Sequence, residues 1–318
     1  LITIVVFLVM YIGAMIFLKK GFLKPQTFFN ILNANAALII TSCGMSLVMI
    51  TGGIDISVGG VVALVSMCSA VYLDYHNGSI LGAVLISLGI GLAFGIVQGY
   101  LVAYLDIQPF IVSLAGMFFA RGMTTIVNTN PFNVQNEAFV ALKDTRVIVP
   151  GLGSVNKLGR YVDAYVEIGV VVALLVGYFF KYTKFGKYTK AIGANEVVAE
   201  QSGVNTTKWK VFAYMAFGAT VAIGSFIMLT RTGSAGKGTG TGFAMDVMIC
   251  LILGGMPLSG GMKSKVSSAL IGTFTYVLLS NDLTTMGVDL NMINFLKAVI
   301  FIIIVMITCR KRDGVLPR

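Results

Sequence analysis

Charge is what this sequence has least of. Asp, Glu, Lys and Arg make up 11% of its 318 residues, against about a quarter in a soluble domain, and only 13 residues are acidic. A single histidine, His76, sits in a short polar turn, which excludes a Ser/His triad and a His-rich metal site. The four cysteines, Cys43, Cys68, Cys250 and Cys309, fall in apolar stretches without a CxxC pair. A disulfide framework or zinc site is thereby excluded, and small core residues are expected instead. The one tryptophan, Trp209, stands between Lys208 and Lys210, where anchoring at a membrane interface is the expected role. Strand-type alternation is also missing, which argues against a barrel. Gly236-Lys237-Gly238 lacks both the Ser or Thr after the lysine and the preceding strand of a phosphate loop, so no nucleotide site is expected. With no metal spacing and no paired carboxylates at membrane depth, the chain is not expected to be an enzyme or to need a cofactor.

Apolar residues fill the space that charge leaves. They are 57% of the chain, and the mean hydropathy is +0.89, the signature of an integral membrane protein. A hydrocarbon core takes about 20 helical residues, and a chain of this length has room for about eight to eleven spans. The expected fold is all-α: a polytopic transmembrane bundle of about ten spans in one domain, residues 1–318, with glycine-broken helices. The sequence opens on Leu1 without an initiator Met, so an N-terminal piece is expected to precede it. Residues 1–18 read as a true span, since no small-residue cleavage site follows them. The net charge of +10 comes from lysines clustered between apolar runs; these are topology signals and predict membrane lipid, not nucleic acid, as a partner.

The chain is organised around residues 46–67, where two apolar runs meet at Gly52-Gly53-Ile54-Asp55-Ile56-Ser57-Val58-Gly59-Gly60. A carboxylate at membrane depth is a functional-site candidate by default, because burying it unpaired costs several kcal/mol. Asp55 can also cap the span that follows. The seam has an echo in Gly254-Gly255-Met256-Pro257-Leu258-Ser259-Gly260-Gly261, which aligns as GGIDISVG over GGMPLSGG. Interrupted apolar segments at corresponding places predict two pseudo-repeated halves and point to a transport site.

In chain order, Lys19, Lys20 and Lys24 follow the first span, and a second run from Phe28 to Ile50 carries Asn30, Asn33 and Asn35. Amides in a bundle bond neighbouring helices or line a polar path. Glycines at 82, 89, 91, 95 and 99 predict close helix approach in the run 80–105. Arg121, well inside the run from Pro109 to Val127, is expected to snorkel. Residues 128–163 form the expected external loop. Lys181, Lys184, Lys187, Lys190, Lys208 and Lys210 mark residues 181–210 as cytoplasmic, and Arg310, Lys311 and Arg312 place the C-terminus there too.

Four stretches carry a resemblance: Thr51 to Gly59 (TGGIDISVG), Pro109 to Gly122 (PFIVSLAGMFFARG), Phe185 to Val204 (FGKYTKAIGANEVVAEQSGV) and Leu251 to Gly261 (LILGGMPLSGG). The chain resembles the membrane permease subunits of bacterial sugar-importing ABC transporters, the ribose, galactose and galactofuranose group, and most the galactofuranose type. It departs from them at Met256-Pro257 and Met262-Lys263.

The resemblance implies a multi-pass protein of the bacterial inner membrane, and ten spans counted back from the basic tail put both termini in the cytoplasm. It also implies two cytoplasmic ATPase domains, a second permease subunit, identical or related, and an extracytoplasmic sugar-binding protein. Within 194–203 it implies a coupling helix, with Asn195 as N-cap, Glu196 in the first turn and Gly203 as C-cap, and with Gly193, Glu200 and Ser202 beside it. For a neutral sugar the candidate path residues are Asn33, Asn35, Asp55, Ser57, Phe118, Phe119 and Ser259. The rival reading is a transporter driven by an ion gradient, with Asp55 as its carboxylate.

Overall fold

The computed structural model describes residues 25–143, 146–148, 161–257, 260–261 and 266–309. The expected first span, the lysines at 19, 20 and 24, Ser259 and the closing basic triplet lie outside the described residues.

The second apolar run forms two helices, α1 (Pro25–Ala34) and α2 (Ala36–Ile50), broken at Asn35. α3 (Val58–Tyr75), α4 (Ile80–Ala103) and α5 (Pro109–Val127) follow. Ser79 caps α4 by accepting from the Gly82 amide at 3.1 Å, and Pro109 opens α5, where its missing N–H costs nothing. After α6 (Glu137–Lys143) come α7 (Ala164–Tyr182), α8 (Lys184–Ala194), α9 (Glu196–Gln201) and α10 (Thr206–Thr232). The short α11 (Phe243–Leu253), α12 (Val266–Thr285) and α13 (Leu290–Cys309) complete the helices. Two small antiparallel ladders join β1 (Phe132–Asn133) to β4 (Ser234–Ala235) and β2 (Arg146–Ile148) to β3 (Tyr161–Asp163).

Among the described residues, α3, α4, α5 and α10 are long and apolar enough to cross a membrane. α10 is the central post: it packs on α2, α3 and α4, and its pairing with α4 is the most extensive in the described bundle. That pairing depends on missing side chains. A Cβ at Gly91 would lie 2.3 Å from the Gly218 carbonyl, and one at Gly218 would lie 2.1 Å from that of Gly91. Gly95 and Gly99 continue the seam against Tyr214 and Val211, so the backbones touch along two turns of helix. Gly89 faces open space and takes no part.

Two ends can be told apart. At one, the Asp74 carboxylate accepts from the backbone amides of Gln135 and Asn136 at 2.9 Å, and Phe139 is buried against Phe226. At the other lie α8 and α9 with the lysines of 181–210. There Trp209 sits among Phe185, Tyr188 and Phe212, with ring centroids 5.2–6.2 Å from its own. The aromatic cluster fastens α8 to the start of α10, a more definite role than interface anchoring.

Candidate functional site

The first seam leaves α2 through a Schellman turn. The Gly53 amide donates to the Val48 carbonyl, the Gly52 amide donates to that of Met49, and Gly52 takes a φ of 84°. Residues 51–57 then rise into the bundle, and α3 begins within it. The Asp55 carboxylate is 3% exposed and accepts from the Ser57 amide at 2.7 Å, a turn that sets up the first residue of α3. Ser57 Oγ in turn accepts from Gln98 Nε2 of α4 at 2.8 Å. Tyr214 of α10 closes this cluster, its hydroxyl buried without a hydrogen-bond partner among the described residues.

Tyr214 also lines a cavity of about 220 Å³ toward the lysine-rich end, with Thr51, Asp106, Gln108, Glu196 and Lys210. Asp55 therefore caps a turn and is buried in a polar cluster at once. Gln98 and Tyr214 are the members that sequence reasoning misses. Gln98 is a lone amide in an apolar span and carried a signal; Tyr214 carried none.

The second seam repeats the turn. Met256 donates to Leu251, Gly255 to Ile252, and Gly255 has a φ of 81°. Gly52 thus corresponds to Gly255, one residue off the GGIDISVG over GGMPLSGG alignment. The two seams also touch: the Gly261 amide donates to the Ile50 carbonyl at 3.1 Å, and a Cβ at Gly260 would sit 2.6 Å from both Ile50 O and Met49 O. A third backbone joins them, since a Cβ at Gly193 would lie 1.8 Å from Ile50 O and 2.8 Å from the Gly261 amide. Three segments meet here because Gly193, Gly260 and Gly261 bring no side chain against the Ile50 carbonyl.

From Gly193 the chain passes directly to α9. Asn195 ends α8, and its Oδ1 accepts from the Val198 amide at 3.1 Å to start α9. Ser202 Oγ donates to Val198 O, and Gly203, at φ 82°, closes the helix with a third Schellman turn. Glu196 pairs with Lys210 at 2.5 Å, and Glu200 is exposed. Val197 and Val198 are 62% and 55% exposed, which makes this polar end a capped knob with an apolar tip.

The remaining candidates lie apart. Asn35 Nδ2 donates to Ile31 O at 2.9 Å, within the break between α1 and α2, and Asn33 is half-buried on α1. Phe118 and Phe119 are exposed on α5, and Phe119 lines an apolar groove with Phe94 of α4. Arg121 is tied to the backbone of a distant segment. Its Nη1 donates to the carbonyls of Lys237 and Thr239, which dip inward so far that Gly240 O lies 2.5 Å from a Cβ at Gly59 in the first turn of α3. The segment that follows β4 therefore enters the bundle from the end opposite the lysines and meets the start of α3.

Broken apolar helices, backbone that enters the bundle from both ends and a capped knob at the lysine-rich end define a polytopic membrane permease. Irregular backbone at such depth survives only where protein or a water-filled path satisfies it. The chain belongs to the family described as the branched-chain amino acid transport system permease component, whose profile matches residues 27–307. The ribose import permease protein RbsC of Escherichia coli strain K12 is 31% identical over 296 residues, 93% of this chain and 89% of the relative. The inner membrane ABC transporter permease protein YjfF of the same strain is 32% identical over 248 residues, 78% of this chain and 73% of the relative. The fructose import permease protein FruG of Bifidobacterium longum is 30% identical over 279 residues, 84% and 78% of the two chains. No solved structure gives a significant match.

Proposed function

We propose that this chain is the membrane permease subunit of an ABC importer in the bacterial inner membrane. It forms part of the path for a sugar, a pentose or hexose with the furanose form included, delivered by an extracytoplasmic binding protein. The names of the relatives favour a sugar over the amino acid in the family's description, and an ATP-driven importer over an ion-gradient transporter.

In this reading the single domain 1–318 crosses the membrane ten times, and both termini and the loop 181–210 face two cytoplasmic ATPase domains. A second permease subunit completes the path, and the loop 128–163 meets the binding protein. The Schellman turns shared by Gly52 and Gly255 support two pseudo-repeated halves. Asp55 and Ser57 brace the seam from inside the bundle, while Asn33, Asn35, Phe118, Phe119 and Ser259 stand as further path residues.

The observation that carries the coupling role is the contact of Gly193 with Ile50 and Gly261. A rigid knob with Val197 and Val198 at its tip, and with Asn195, Glu196, Glu200, Ser202 and Gly203 holding its shape, is joined through Gly193 to both seams. Rigid-body motion of the knob then moves both halves together.

The test is uptake of ribose and fructose into proteoliposomes holding this chain with its ATPase and binding protein. Uptake is expected to be vanadate-sensitive and to be lost in V197D/V198D, with insertion of the chain unchanged. Uptake of leucine but of neither sugar, or uptake that follows a proton or sodium gradient and ignores vanadate, would overturn the reading.

A further inference from the structure

A second cluster with charged groups lies inside the bundle, on helices other than those that hold Asp55. Asp246 is in the first turn of α11, which starts only after the inward-dipping segment 236–242. Its Oδ1 accepts from the hydroxyl of Tyr276 on α12 and lies 3.7 Å from Nζ of Lys297 on α13. The Lys297 ammonium also sits 4.8 Å from the centre of the Tyr276 ring. Tyr276 is ten residues into a 20-residue helix, so at 1.5 Å per residue it stands about 15 Å from either end. Tyr276 is therefore midway along its span, and Asp246 and Lys297, in contact with it, lie at the same depth, where ionisable side chains are rare and mark substrate pathways.

An ion pair that only ties helices together has no need of an open face, and this one has one. The Lys297 side chain is 14% exposed and that of Asp246 34%, and both contacts of the carboxylate fall on Oδ1. Among the described residues Oδ2 has no such contact and is left to accept. The backbone leading to it is polar and open: Thr241 and Gly242 are exposed, and Arg121 holds the carbonyls of Lys237 and Thr239 in place. A part-exposed carboxylate at this depth is costly against hydrocarbon, so its open face belongs to a water-filled path.

Resting on the importer reading, we propose that Asp246 is a sugar-contact station: Tyr276 and Lys297 fix its Oδ1, and Oδ2 accepts hydrogen bonds from the hydroxyls of a neutral sugar passing residues 236–246. A carboxylate is a strong acceptor for hydroxyls. Its pairing with Lys297 keeps the station neutral overall, which suits an uncharged solute that must also leave.

The experiment uses proteoliposomes of the complete complex, with D246N and the charge-free pair D246L/K297L. D246N is expected to raise the KM for uptake roughly tenfold, the loss of one charge-assisted hydrogen bond, and to change the ratio of ribose to fructose uptake while ATP hydrolysis continues. D246L/K297L is expected to fail likewise. A thiol placed by T241C is expected to react with a membrane-impermeant charged methanethiosulfonate, and more slowly with ribose present, whereas L85C on the exposed apolar face of α4 is expected to stay unreactive. Full uptake with unchanged sugar preference in D246L/K297L, or an unreactive thiol at 241, would reduce the cluster to a helix tie and overturn the station. Absence of ATP-dependent sugar uptake by the unaltered complex sinks the importer reading instead; the labelling of T241C still decides whether this wall is wet.

Discussion

The amide of Gly261 donates to the carbonyl of Ile50, so the chain's two glycine seams, far apart in sequence, are in direct backbone contact at the lysine-rich end. Gly193 is packed on the same carbonyl. Backbone packed on backbone has no rotamers to yield, so a displacement of one segment is passed to the others.

The first prediction concerns that joint. G193A places a methyl 1.8 Å from Ile50 O, where no flexible group can give way. Overpacking of this kind costs about 1–3 kcal/mol, read as a lower melting temperature in detergent, together with loss of ATP-driven uptake. G203A, by contrast, meets open space and only strains a left-handed turn; it is expected to cost about 1–2 kcal/mol while leaving the joint at Ile50 intact.

A second prediction separates the glycines of α4. G91A would overlap the backbone of α10 and is expected to lower thermal stability markedly, as is G218A. G89A has nothing within reach and gains helix propensity, so its melting temperature is expected to hold or rise, by up to about 1 kcal/mol of stability.

The Gln98 to Ser57 bond invites a double-mutant cycle. Q98A and S57A are each expected to destabilise the fold, and the double variant by less than their sum, with a coupling of about 0.5–1.5 kcal/mol in thermal or denaturant unfolding. A coupling of zero would mean that the two groups do not share a bond.

Arg121 supplies the fourth. In R121Q the carbonyls of Lys237 and Thr239 lose their guanidinium donor. Hydrogen exchange at residues 237–242 is expected to accelerate, and that at Glu137–Lys143 to stay as it was.

Hydropathy alone locates α3, α4, α5 and α11 to within two residues at each end, because each is a predominantly apolar run bounded by polar or glycine-rich turns. The knob at 196–203 is equally legible, since Asn195 and Gly203 are local caps that need no distant partner. What could not be read is tertiary. The start of α10 at Thr206 carries two lysines and looks like loop; Asn205 caps it locally by accepting from the Lys208 amide, and the aromatic packing of Trp209 holds it against α8. The meeting of the seams and the burial of Tyr214 depend on contacts across the bundle, which no local pattern encodes. Asp246 and Lys297 differ: each is a solitary charge within an apolar run, a signal present in the sequence whose pairing across helices is visible only in the fold.

The lone tryptophan also makes the protein its own optical gauge. All indole emission of this sequence arises from Trp209, which lies in the aromatic cluster between α8 and α10, next to the knob. With an ATPase whose own tryptophans are replaced by phenylalanine, a change in its colour or quenching on docking therefore reads the lysine-rich end with no dye attached, while an unchanged spectrum on adding sugar separates events along the proposed path from events at the motor.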